Sequence, residues 1–319
     1  MSKTLIGIFL LLVFPLVTIA DTVAEKLQSV SVTIKAGGSE GSGVIVKRGE
    51  YNFVLTAGHV VSSLRKTRSV IDSGMDRTVV EFNDASIIQN VYEDGRKVGQ
   101  VEMTAKVISY SNADSGEDLA LLQIIKKNFA TESATFYLSN DIPKIGTRLY
   151  HVGSLRGEFG SNSLTNGIIN SIGRIYDGKI YDQTSCTALP GSSGGGIFLE
   201  ENGEYVGMLV RGGGETFNLI IPIRRIREWT NRMGLNFVID PNVAVPSDEE
   251  IRKILIEDIG ANNWNKAKVS IPSPILSPEP KNQCGNSVDT MQSNGPLNVY
   301  LENMLLQYGA AFNLPYAVY

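Results

Sequence analysis

Histidine and cysteine are scarce in this chain of 319 residues, which holds two of each: His59 and His151, Cys186 and Cys284. Two cysteines are too few for a disulfide scaffold, and they lack the close spacing of a metal motif. Cys186 and Cys284 are left either to pair with each other or to stay as thiols. Two histidines leave few sources for a general base. Net charge is also low, since 29 Lys and Arg stand against 33 Asp and Glu, for a formal charge of −4. No basic block occurs, so nucleic acid is excluded as the expected partner. Nothing in the chain asks for a metal or a cofactor.

Long apolar runs are missing except at the start. There Lys3 precedes an apolar stretch from Leu5 to Val17, followed by Thr18-Ile19-Ala20 with small residues where a signal peptidase reads. This pattern predicts a signal peptide over residues 1–20, cut near Ala20–Asp21. The mature chain is then secreted or otherwise extracytoplasmic, periplasmic in a bacterium. The run is short for a span and contains Pro15, and the alternative is an uncleaved anchor that tethers the protein to a membrane through residues 5–20.

What is present is globular, with 42% hydrophobic residues and a length that permits a large core. From about Gln28 the apolar residues recur at period two, as Val30, Val32 and Ile34 around Ser31 and Thr33, the signature of a half-buried strand. Similar runs stand at 43–46, 51–56, 78–82, 86–92, 98–109, 119–125, 147–152, 167–172, 205–210 and 217–221. Asp94-Gly95, Asp177-Gly178 and Asn202-Gly203 each offer the positive φ angles of a type I′ hairpin turn. With hardly a helical stretch before residue 222, the pattern predicts an all-β domain built as antiparallel barrels or a sandwich.

Three segments carry chemistry. Residues 183–196, QTSCTALPGSSGGG, combine a proline, glycines and adjacent serines, so a hydroxyl can stand beside exposed amide N–H groups. Residues 52–61, NFVLTAGHVV, hold His59 at the end of an apolar strand. Residues 116–125, GEDLALLQII, put Asp118 before another, where a buried carboxylate can accept the imidazole Nδ1–H. Each has a plain structural reading when taken alone: a loop, a strand-end histidine bonded to a carbonyl, a turn-forming aspartate. Asp114 in the polar SNADSGED loop competes with Asp118, which is preferred because the apolar run after it implies a fixed position.

The order TAGHV, DLALL, PGSSGGGI resembles the trypsin-like (chymotrypsin-fold) serine proteases, and more closely their HtrA/Deg-like branch. GSGVIV at 41–46, IGTRLYHVGSLRG at 145–157, LTNGIINSIGRI at 164–175 and LIIPIRRIREW at 219–229 fall in the family's order, so the likeness covers residues 24–236. It implies two perpendicular, antiparallel six-stranded β-barrels, over about 28–126 and 136–222, with the active site between them. A closing helix is expected from Pro222 to Met233, with Ile223, Ile226, Trp229 and Met233 on one face and Gly234 ending it.

The resemblance also implies a serine endopeptidase acting on protein or peptide substrates. Ser193 would be the nucleophile, His59 the base and Asp118 its orienting carboxylate, with the N–H groups of Gly191 and Ser193 as oxyanion hole. The Gly-x-Ser-Gly-Gly register selects Ser193 over Ser192. Thr187 stands where trypsin carries its acidic specificity residue, and Val210, Arg211 and Gly212 in VRGGG would line the substrate, so small or aliphatic side chains are expected at the cleaved position. Ser192 replaces the aspartate that pairs with a new N-terminus in digestive relatives, so activation by such an ion pair is not expected. His151 maps to a barrel strand as a structural residue.

Two rival readings explain the strands: a latent protease-fold protein that serves as a binding module, and a capsid- or matrix-like structural protein. The retained His59, Asp118 and Ser193 argue against the first, and three ordered motifs against the second. The long stretch Asn83–Gly116 is expected as elongated barrel strands. Beyond the protease no PDZ domain is recognisable. Residues 237–269 read as a helical extension opened by a Ser247/Glu250 capping box, with Ile251, Ile254, Leu255 and Ile259 on one face and a stop at Gly260. Residues 270–283 read as a proline-rich linker, and 284–319 as a tail of open role with a short helix over 297–308. Tail docking and self-cleavage are both left open.

Overall fold

The computed structural model describes residues 19–72, 75–93, 96–214 and 216–251. The apolar leader, the Asp94-Gly95 turn, Cys284, the proline-rich stretch and the tail helix lie outside these residues. The chain opens with α1 (Ile19–Ser29), then β1 (Ser31–Ala36), β2 (Ser39–Arg48), β3 (Tyr51–Thr56) and a short α2 (Gly58–Val61). Next come β4 (Arg65–Asp72), β5 (Met75–Phe82), β6 (Ala85–Glu93), β7 (Arg96–Ser111) and β8 (Leu119–Ile124). The second half holds β9 (Thr135–Phe136), β10 (Arg148–Gly153), β11 (Ser163–Tyr176), β12 (Lys179–Thr184), β13 (Gly196–Leu199), β14 (Glu204–Gly212) and β15 (Asn218–Pro222). Helices α3 (Ile223–Arg232) and α4 (Asn236–Ile239) follow.

Strands β1-β2-β3-β8-β7-β6 close into the first barrel, and β4–β5 form a separate two-stranded ribbon between the histidine and aspartate segments. In the second half the order β13-β10-β11-β12-β15-β14 is closed by β13–β14 pairing, and β9 adds in parallel to β14. The fold is therefore the all-β, two-barrel architecture of the trypsin-like proteins. Val44, Val54, Leu55 and Leu121 fill the first barrel, while Phe198, Tyr205 and Met208 of the second join the same buried cluster. Each such side chain withdrawn from water contributes about 1.5–3 kcal/mol before entropy is counted.

The expected closing helix is present as α3. Ile223, Ile226 and Trp229 are buried and Met233 packs beside them. Its end is a Schellman motif, with Leu235 N–H on Thr230 C=O at 2.8 Å and Gly234 N–H on Asn231 C=O at 3.3 Å. The capping box also forms: Glu250 Oε2 accepts from Ser247 N–H at 2.8 Å, and Ser247 Oγ accepts from Glu250 N–H at 3.3 Å. Residues 248–251 are helical there and Ile251 is buried, while the remaining positions of the expected helix fall outside the described residues.

Several expectations need correction. The segment from Gln28 begins as helix, because Val23, Leu27 and Val30 repeat at helical spacing and pack on the core; the strand starts only at Ser31. That strand is buried on both faces, since Ser31 Oγ donates to Leu27 C=O and Thr33 Oγ1 meets Ser154 Oγ at 2.5 Å across the barrels. Strands β4, β9, β12 and β13 were not expected. Asp177-Gly178 has φ of 50° and 70°, as a type I′ turn needs, but at Asn202-Gly203 only Gly203 is positive, at 73°. There a four-residue loop closes with Gly203 N–H on Leu199 C=O instead. The long 83–116 stretch is the β6–β7 hairpin, whose outer end reaches the second barrel through Asn90 to Ser161 and Gln100 to Glu158.

Candidate active site

The first barrel brings His59 and Asp118 together. β3 ends at Thr56 and α2 starts at once, so His59 is held at the rim of a closed barrel. Gly58 makes this approach possible, because a Cβ there would stand 2.2 Å from Ser111 C=O. Asp118 lies at the foot of β8, fully buried, with φ of 58°. That left-handed conformation suits Asp better than most residues. Both carboxylate oxygens stand 3.0 Å from His59 Nδ1, and Oδ1 also accepts His59 N–H at 2.9 Å. The carboxylate therefore fixes the ring twice, by its nitrogen and by its backbone. Asp114, in contrast, is exposed in an Asx turn where Asn112 Oδ1 accepts its N–H.

The second barrel supplies Ser193 on the irregular segment between β12 and β13. Cys186 N–H donates to Thr184 Oγ1 at 3.1 Å, Asn218 Nδ2 donates to Cys186 C=O at 2.7 Å, and Arg156 N–H donates to Pro190 C=O at 2.6 Å. Gly191 has φ of 91°, and a Cβ there would meet Ser154 C=O at 2.2 Å. Ser192 caps the loop from within, its Oγ accepting Leu189 N–H at 3.1 Å. Ser193 is nearly as buried, yet its Oγ has no hydrogen-bond partner, and neither has Nε2 of His59. Of two adjacent hydroxyls, one is used structurally and the other is unengaged.

Ser42 of β2, in the GSGVIV stretch, joins the two halves. Its Oγ donates to Gly191 C=O at 2.6 Å and accepts Ser154 N–H at 2.7 Å, while its N–H donates to Ser193 C=O at 2.7 Å. Thr56 Oγ1 donates to Ser42 C=O at 2.7 Å, so the contact continues toward His59. Glu117 was missed. It is held by Arg225 of α3, whose Nη2 reaches Oε2 at 2.9 Å, and by Arg232 at 2.9 Å, which fixes the backbone just before Asp118. The flanking glycines of Ser42 were its one visible cue; the partners of Glu117 lie over 100 positions away.

Among the expected substrate contacts, Thr187 is exposed, Arg211 and Gly212 are half-buried, and Val210 turns its side chain into the core. His151 is buried on β10, and burial pushes its pKa down to about 4 against weaker support for the charged ring from the Ser192 and Thr187 backbone. It is a neutral imidazole packed against Gly195 of the Ser193 loop. Cys186 is a buried free thiol whose pKa is pushed up to about 11 by burial, which makes it inert. Among the described residues no group of three His, Cys, Asp or Glu gathers as metal ligands would, and no helix is long and apolar enough to cross a membrane.

Similar solved structures include three proteases. A serine endoprotease from Yersinia pestis aligns at 20% identity and a TM-score of 0.47, covering 67% of this chain and 66% of that one. Deg5 aligns at 21% and 0.48, covering 69% and 95%. An HtrA-type protease with a tripeptide aligns at 21% and 0.47, covering 67% and 63%. The chain thus spans less than two thirds of the first and third of these. No curated protein sequence matches. The family model of the trypsin-like peptidase domain matches residues 41–208, from the strand that holds Ser42 to the strand that bonds the nucleophile loop. Over half of the chain lies within that match, and the protein belongs to the trypsin-like peptidase family.

Proposed function

We propose that this chain is a serine endopeptidase that cleaves protein or peptide substrates through an acyl-enzyme. The observation that carries the reading is the contrast between the two ring nitrogens of His59. Nδ1 is held by a buried carboxylate and Nε2 has no partner, while Ser193 Oγ is equally unengaged and its neighbour Gly194 packs against Thr56 and Ala57, just before His59. Asp118 fixes the tautomer that carries the proton on Nδ1, so Nε2 is the basic nitrogen. Ser193 Oγ attacks the scissile carbonyl as its proton passes to Nε2. The same proton then goes to the leaving amine, and water repeats the sequence in reverse to release the acid.

Gly191 and Ser193 N–H groups donate no hydrogen bond among the described residues, and they serve as the oxyanion donors. The leader-like residues 1–20 support a location outside the cytoplasm, secreted or tethered. The deciding experiment is labelling with a fluorophosphonate probe of wild-type, Ser193→Ala and His59→Ala proteins. Labelling of the wild type alone supports the peptidase. A folded wild type that neither labels nor turns over peptides overturns it in favour of the latent binding module.

A further inference from the structure

β14 changes neighbours as it passes the nucleophile. Up to Met208 it pairs with β13, and Leu209 then exchanges bonds with the nucleophile loop, its N–H on Gly195 C=O at 3.0 Å and its C=O accepting Gly194 N–H at 2.8 Å. Beyond Leu209 only β15 continues, through Gly212↔Asn218, so the other edge of residues 210–212 is an open strand edge leading away from Ser193. An extended peptide bound antiparallel on that edge runs opposite to β14. Its residues alongside 211–212 therefore precede the cleaved bond.

Two arginines near this end of β14 rest on aromatic rings, Arg211 of β14 itself and Arg174 of β11, the latter through Phe217 beside Gly213. The Arg211 guanidinium lies over Tyr176 at 5.1 Å, and that of Arg174 over Phe217 at 5.3 Å. Phe217 in turn packs against Gly213, its C=O accepting Gly213 N–H at 2.8 Å. Arg174 Nε donates to Gln183, but Arg211 Nε is buried with no partner. Among the described residues neither guanidinium meets a carboxylate, whereas Arg68, Arg148, Arg224, Arg225 and Arg232 all do. A buried guanidinium donor left without an acceptor is costly, and a stacked, half-desolvated arginine is preorganised for a planar carboxylate.

We propose that Arg211, assisted by Arg174, makes this enzyme select substrates with an acidic side chain on the N-terminal side of the cleaved bond. The inference rests on the peptidase reading of the same cleft. It leaves the small or aliphatic preference at the cleaved residue itself unchanged, because Arg211 flanks the strand rather than the nucleophile loop.

The test uses matched quenched peptides that differ only by Glu, Gln or Lys at each of the three positions before the cleaved residue. Wild-type kcat/KM is expected to favour Glu by about tenfold at one of them, an effect that shrinks with added salt. Arg211→Gln abolishes the preference, and Arg211→Glu reverses it toward Lys. Equal rates for Glu and Gln, or a Glu preference that survives in Arg211→Gln, overturn the proposal. Binding of the same peptides to the Ser193→Ala protein, read by fluorescence anisotropy, gives the charge preference without turnover. A wild type that binds with the Glu preference yet neither labels nor cleaves sinks only the peptidase reading; labelling without preference sinks only this one.

Discussion

The two barrels contribute unequal halves of the cleft. The first holds His59 and Asp118 on the ends of strands that it closes by itself, and their bonds run between residues of one barrel. The second presents Ser193 on an irregular segment whose shape depends on a residue of the other barrel, Ser42, and on buried contacts from Asn218 and Arg156. On the proposed assignment the base is built in, whereas the nucleophile and its amide donors are assembled. Substitutions in the first barrel should therefore change chemistry with little change of shape, and substitutions around the second should change shape and chemistry together.

The sharpest break is Asp118→Asn. It keeps volume and changes the tautomer, and a loss in kcat on the order of 10⁴ is expected with a near-native circular dichroism spectrum. A loss below tenfold would mean that His59 is not oriented through Asp118. Acid should single out the second barrel. His151 titrates near 4 in the fold, against 6.5 when free, so the unfolded chain takes up the proton first as pH falls. Its contribution to stability is complete above pH 6.5 and is lost on the way down to pH 4, on the order of 3 kcal/mol. Urea unfolding from pH 7.5 to 4.5 should show a steeper decline for the wild type than for His151→Gln, and parallel slopes would refute this. The smallest effect is expected for Ser42→Ala, which strands Gly191 C=O and Ser154 N–H. About 1–2 kcal/mol of stability should go, with kcat falling and KM nearly constant. Unchanged kcat would show that the nucleophile loop keeps its shape without the first barrel.

The candidate site was legible because its residues sit on pattern boundaries: His59 where an apolar strand stops, Asp118 where one starts, Ser193 in a glycine-rich turn. The same boundaries made β3 and β8 readable. β13 was not, because its four residues follow a glycine run that masks the onset of pairing. α1 was misread because Val30 belongs both to its i, i+4, i+7 row and to the alternation that continues into β1. Glu117 and Arg225 left no trace in the pattern, and Ser42 only its flanking glycines, since their roles exist only once distant segments meet. The unpaired state of Arg211 is likewise a property of its neighbours.

Ser42 Oγ and the Gly191 carbonyl that receives it stand 149 positions apart in the chain. A ribosome making this protein completes the strands of the first barrel, His59 and Asp118 included, before Ser193 is translated, and Arg225 and Arg232, which hold Glu117, come later still. The growing polypeptide thus carries the His59 imidazole and the Asp118 carboxylate before it carries Ser193. If Ser193 is the nucleophile, hydrolytic power arrives only when the last strands have been made and docked, so the order of synthesis itself delays the appearance of a protease inside the cell that builds it.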